Sequence, residues 1–209
     1  MRVLVACEFS GIVRDAFLRR GVETYSCDII PSEPWSPWHI QGDVTPLLRE
    51  QWDLVIAHPP CTYLANSGVQ HLHVDPERWL DLFDGVQFFK LFQNLDHIPF
   101  VAIENPIPHK YATREIGKYT QLIQPWMFGH LESKAVCLWL KNLPKLVPTT
   151  NLEAEMKALP KQQAYRVHLM SPGPERQKQR SLFFKGIAEA MADQWLPLVS
   201  PNRLMNSGS

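Results

Sequence analysis

Four short apolar runs constrain what this chain can fold into: "RVLVAC" from Arg2, "VETYSCD" from Val22, "WDLVIAH" from Trp52 and "PFVAIEN" from Pro99. Each is rich in β-branched or aromatic residues and too short for a helix, so each predicts a strand. Segments of different periodicity lie between them. "GIVRDAFLRRG" carries Ile12, Val13, Ala16 and Phe17 at helical spacing and is closed by Gly21. "PERWLDLFDGVQFFKLFQNL" carries a helical stripe through Trp79, Leu82, Phe83, Val86, Phe89 and Leu91. "IIPSEPWSPWHIQGDV" reads as a loop leading to a short edge strand, "KAVCLWL" as a later strand and "KGIAEAMADQWLPLV" as a terminal helix. Strands alternating with helices predict an α/β domain, a mainly parallel sheet with helices on both faces. One domain is expected over residues 1–200, with an irregular insert at about 143–174 and a flexible tail at 201–209.

In such a sheet, ligands bind beyond the carboxyl ends of the strands. Here those ends read "CEFSG", "CD", "HPPC" and "ENP", so the unusual polar clusters fall on one rim. The Phe9-Ser10-Gly11 turn opens a helix whose first amides suit an anionic group, although an ordinary strand–helix turn looks the same. Asp28 stands where a carboxylate meets ribose hydroxyls, or serves as a turn residue. Asp43, in "QGDV", has the same two readings. Pro59 and Pro60 fix the backbone and supply no N–H, which stops the strand and holds Cys61 on a stiff turn. Cys7, Cys27 and Cys137 lie within apolar strands and read as inert core thiols. Glu104 ends the strand after Cys61, and a crossover helix would bring those two strands close together.

The 209 residues carry 21 Lys and Arg against 21 Asp and Glu, so no global basic field announces a polynucleotide. The four cysteines form no C-x-x-C pair, which argues against a zinc knuckle and a disulfide framework. His58, His71 and His73 have no metal-site spacing, and no metal is expected. "MRVLVACEF" turns polar too soon for a signal peptide, and no apolar run reaches membrane-spanning length, so no membrane role is expected.

Together these motifs resemble the DNA cytosine-5 methyltransferases, and in particular small phage-type DNA cytosine methylase-like proteins. The similarity runs from Met1 to about Leu140. "CEFSGIVRDAFLRRG" resembles the family's first S-adenosylmethionine motif, "CDIIP" its ribose-binding segment and "GDV" its adenine-side segment. "DLVIAHPPCTYLANSG" is similar to the loop with the nucleophilic Pro-Cys, and "AIENP" to the Glu-Asn pair that grips cytosine. The resemblance implies a Rossmann-like S-adenosylmethionine-dependent methyltransferase fold. It implies a donor site at Phe9, Ser10, Gly11, Asp28, Ile29, Asp43, Val44, His58 and Pro60, and catalysis by Cys61, Glu104 and Asn105. Pro59, Thr62, Ser67 and Lys134 would meet the acceptor base, Lys134 standing where the family carries an arginine. A bacterial or phage-infected cytoplasm is the implied location.

Arg176, Lys178 and Arg180 in "PERQKQRSLFF" form the best basic patch for DNA phosphates, with a solvated loop as the plain alternative. Three functions stay open: C5 methylation of cytosine in DNA, transfer to another acceptor, or a non-catalytic relative binding donor or nucleic acid. The second covers an exocyclic amine or a free pyrimidine nucleotide.

Overall fold

The computed structural model describes residues 1–171, 173, 179 and 181–199, and the side chains of these apart from 167 and 168. Its strands are β1 (Arg2–Ala6), β2 (Glu23–Asp28), β3 (His39–Gln41), β4 (Leu54–Ala57), β5 (Phe100–Asn105), β6 (Gln121–Ile123) and β7 (Val136–Lys141). They form a seven-stranded sheet in the order β3-β2-β1-β4-β5-β7-β6. The first five are parallel, and β7 runs antiparallel to both β5 and β6. The expected α/β architecture with a mainly parallel sheet is therefore what the chain forms.

Alternate residues of the central strands feed two cores, as the period of two requires. Leu4, Ala6, Val55, Ala57, Val101 and Ile103 point to one face, covered by α2 (Arg78–Gln93) and α3 (Lys110–Ile116). Val3, Val5, Leu54, Ile56 and Ala102 point to the other, covered by α1 (Ile12–Leu18) and the terminal helix α7 (Lys185–Val199). Trp195, Phe17 and Met191 fill that second core with no exposed surface. Each such side chain contributes about 1.5–3 kcal/mol through burial. At the outer edge of this packing, Arg20 bonds Glu189 and Asp193 of α7, each at 2.7 Å.

The structure corrects two expectations about elements and adds two short elements. On α2 the buried residues are Leu82, Val86, Phe89 and Phe92, whereas Trp79, Phe83 and Leu91 are exposed. Phe83 lies about 100° around the helix from Leu82, which turns it off the sheet. The 143–174 stretch is not wholly irregular, because it holds α4 (Glu153–Ala158), α5 (Lys161–Ala164) and α6 (Arg166–Leu169). The short elements α3 and β6 are also additional to the sequence reading.

No helix among the described residues is long and apolar enough to cross a membrane. Residues 201–209 lie outside the described residues.

Candidate active site

The strand order reverses between β1 and β4, which puts the ligand-binding crevice of an open α/β sheet beyond their carboxyl ends. After β1, Cys7 and Gly11 both take left-handed backbone conformations, with φ of 59° and 67°. Gly11 is the N-cap of α1 and has no side chain to offer the helix. Glu8 supplies the cap instead. Its Oε1 accepts from Val13 N–H at 2.6 Å and its Oε2 from Arg14 N–H at 3.2 Å, while Ser10 Oγ accepts from Ile12 N–H at 3.4 Å. The expectation that this helix start offers its amides to an anionic ligand is thereby corrected, since the chain's own carboxylate takes them. Burial pushes the Glu8 carboxyl above its ordinary range. His58, the two amides and the Arg14 guanidinium pull it back.

Arg14 lies beneath Gly11 and is only 1% exposed. Its guanidinium donates to Asp15 at 2.8 Å, to Ser26 at 2.9 Å and to Ser32 at 3.1 Å. Neither Glu8 nor Arg14 stood out in the sequence. The one available signal is that a glycine N-cap leaves amides for a nearby side chain to satisfy.

On the neighbouring strand end, Asp28 Oδ1 accepts from Ile30 N–H at 3.2 Å, and no described residue holds Oδ2. Ile29 beside it is 76% exposed and Asp43 is exposed. The Thr45 amide and hydroxyl hold the Asp43 carboxyl below its usual range. Val44 is different: its side chain is 5% exposed and belongs to the core with Leu48 and Trp52, so it is not a rim residue.

The loop after β4 and the end of β5 are tied together residue by residue. The parallel register pairs Ala57 with Ile103, which sets His58 beside Glu104. His58 Nδ1 lies 3.0 Å from Glu104 Oε2, with side-chain exposures of 12% and 14%. Asn105, pointing the other way on the pleat, donates from Nδ2 to the Pro59 carbonyl at 2.8 Å. Beyond Cys61 the two loops continue side by side. Asn66 N–H donates to Ile107 O at 2.9 Å, and His109 N–H to Leu64 O at 3.0 Å. His109 Nε2 also donates to the Tyr63 carbonyl at 2.9 Å.

Pro59 is buried and Pro60 exposed, and Cys61 follows on a turn whose carbonyl accepts from Leu64 and Ala65. Thr62 and Ser67 are exposed just after it. Cys61 is partly exposed. Cys7 is partly exposed too and stands just past β1, which corrects its expected place within the strand, whereas Cys27 and Cys137 are buried. Desolvation nonetheless holds all three as thiols. It raises Cys7 far above its ordinary value, Cys27 to about 11 and Cys137 to about 12, with nearby carboxylates adding to each.

The segment before α7 closes this side of the site. The Phe183 ring sits 4.8 Å from the His58 ring. Phe184 lies 5.4 Å from Lys134 Nζ, and Lys134 enters the rim just before β7. Phe183, Phe184 and Lys134, with Ile12, His130 and Arg166, line a cleft of about 250 Å³. Phe183 is another site residue the sequence reading lacked, its only signal being two adjacent aromatics in a polar segment. Arg176, Lys178 and Arg180 lie outside the described residues. Among the described residues no group of three or more His, Cys, Asp or Glu side chains is placed to hold a metal ion.

No protein-family sequence model matches the chain, and no curated protein matches it by sequence. Solved structures do match. An Entamoeba histolytica methyltransferase, EhMeth, aligns with a TM-score of 0.45 and 15% identity over 72% of this chain and 57% of its own. A variant of DNMT2 from Spodoptera frugiperda aligns with a TM-score of 0.39 and 14% identity, over 72% of this chain and 54% of its own. The 16S rRNA methylase RmtB aligns with a TM-score of 0.35 and 17% identity, over 67% and 55%. The chain thus spans little more than half the length of each.

Proposed function

We propose that this protein transfers a methyl group from S-adenosylmethionine to C5 of cytosine in DNA, with Cys61 as the covalent nucleophile. One observation carries the reading. Both residues of the Glu104-Asn105 pair are bonded into the His58-Pro59-Pro60-Cys61 segment, one on each face of the sheet. A thiol nucleophile and a carboxyl that meets the base need such fixed mutual placement, because small displacements of reacting groups lose large factors in rate. Cys27 and Cys137 are buried, and Cys7, though partly exposed like Cys61, is held as a thiol by desolvation and the nearby Asp28 carboxylate, which supports Cys61 as the reactive one.

The residues at the ends of β1 and β2 suit the donor. Asp28 keeps one carboxylate oxygen for ribose hydroxyls, and Ile29 presents an unpacked apolar face to an adenine ring. When bound, the donor supplies an electrophilic methyl carbon. Cys61 adds to C6 of the base while Glu104 gives a hydrogen bond or proton to N3. C5 thereby becomes an enamine carbon nucleophilic enough to take up the methyl group. Loss of the C5 proton to solvent water, return of the N3 proton to Glu104 and departure of the Cys61 thiolate restore the ring. Lys134 brings positive charge to the same rim, and a base in a duplex must leave the stack to reach it.

Incubation with methyl-labelled S-adenosylmethionine and duplex DNA, single-stranded DNA, tRNA or dCTP, followed by mass analysis of the nucleosides, tests the reading. Labelled 5-methylcytosine from DNA is the expected product. Label on an exocyclic amine would replace it with the amino-methyltransferase reading, label on dCTP alone would move the acceptor to a free nucleotide, and donor binding without transfer would indicate a non-catalytic relative.

A further inference from the structure

We propose that His58 is the positioning residue of Glu104, donating from Nδ1 to Oε2 so that Oε1 is the oxygen presented to the acceptor. This rests on the reading of Glu104 as the group that meets the base. The placement follows from register. Ala57 pairs with Ile103, so the next residues stand side by side and point to the face covered by α1 and α7. Their contact is 3.0 Å and both side chains are largely buried.

The chemistry then fixes the proton. Oε2 accepts whether the carboxyl is ionised or carries its proton on Oε1, the oxygen that meets N3, so the ring nitrogen facing Oε2 carries the hydrogen and, in the neutral ring, the other is bare. That other nitrogen, Nε2, is buried and has no hydrogen-bond partner among the described residues. A bare lone pair there strands no N–H donor. Phe183 braces the ring from the side at 4.8 Å. Among the described residues, the charged groups facing the imidazole are Glu104 at the end of β5 and Glu8 just after β1, the latter coupled to His58 electrostatically. With Oε2 held, the carboxyl loses its freedom to rotate, and no described residue competes for Oε1.

Two measurements test the pair. In ring-nitrogen NMR of the wild-type protein above neutral pH, assigned by the signal lost in His58→Asn, His58 is expected as the Nδ1–H tautomer. The Nε2–H tautomer would overturn the proposal whatever the activity. In kinetics, His58→Asn keeps an N–H at the position of Nδ1, whereas the isosteric His58→Leu does not. His58→Leu is expected to lower kcat by about tenfold or more with the KM for donor unchanged, and His58→Asn to restore most of it. Equal loss in both variants, no loss in either, or an effect on KM alone would contradict a positioning role. A wild-type protein inactive on every acceptor yet carrying Nδ1–H on His58 would overturn the methyltransferase reading while supporting the pair.

Discussion

Gly11 is closed to other residues by two constraints. Its φ of 67° disfavours any L side chain, and a Cβ built there would lie 2.0 Å from an Arg14 guanidinium nitrogen. That guanidinium cannot simply swing away, because it is buried and bonded to Asp15, Ser26 and Ser32. Gly11→Ala is therefore expected to destabilise the fold by about 2–4 kcal/mol. Urea unfolding checks this, and a loss below about 0.5 kcal/mol would show that the turn relaxes freely. Gly11, Cys61 and Glu104 were legible because each breaks a local pattern: a turn, a diproline stop, a charge ending an apolar strand. Glu8 was not, since a cap three residues ahead of the N-cap leaves no fixed-spacing signature. Val44 misled for the opposite reason, being an apolar residue in a polar motif that the core claims.

At the scale of elements, the parallel strands and the terminal helix could be read because buried β-branched runs and long periodic segments are strong signals. β6 has three residues, and its place beside β7 depends on register with Cys137 and Leu138, which no local pattern encodes. The phase of α2 was blurred because several large apolar residues, Trp79 and Phe83 among them, remain on its outer side.

The start of α7 makes a testable contact of its own. Gly186 N–H donates to His130 Nε2 at 2.8 Å, and a Cβ on Gly186 would meet the Phe128 carbonyl at 2.0 Å. Burial lowers the His130 pKa from its ordinary 6.5, against a smaller opposing pull from Glu132. Because the folded value is the lower one, the unfolded chain takes up the proton more readily. Stability from this group is present above pH of about 6.5 and declines as the pH falls below it. Thermal unfolding across pH 5–8 should show that decline in the wild type and a shallower one in His130→Gln. Equal slopes in the two proteins would rule out His130 as the source.

Over the whole molecule, the sheet order does what individual residues cannot. The reversal between β1 and β4 opens the crevice, and the parallel neighbours β4 and β5 deliver the Pro-Cys loop and the Glu-Asn end to one edge. The antiparallel β7 brings Lys134 to that edge from the opposite chain direction. The central claim is that Cys61 forms a covalent bond to the acceptor base during methyl transfer. The most direct measurement is mass analysis of the protein after incubation with S-adenosylmethionine and a 5-fluorocytosine-containing acceptor, chosen from those the enzyme turns over. Fluorine cannot leave C5 as the proton does, so the account predicts a stable adduct carrying the base and one methyl group, mapped to Cys61 and absent from Cys61→Ser. An acceptor methylated at normal rates with no adduct, or full activity in Cys61→Ser, would contradict it.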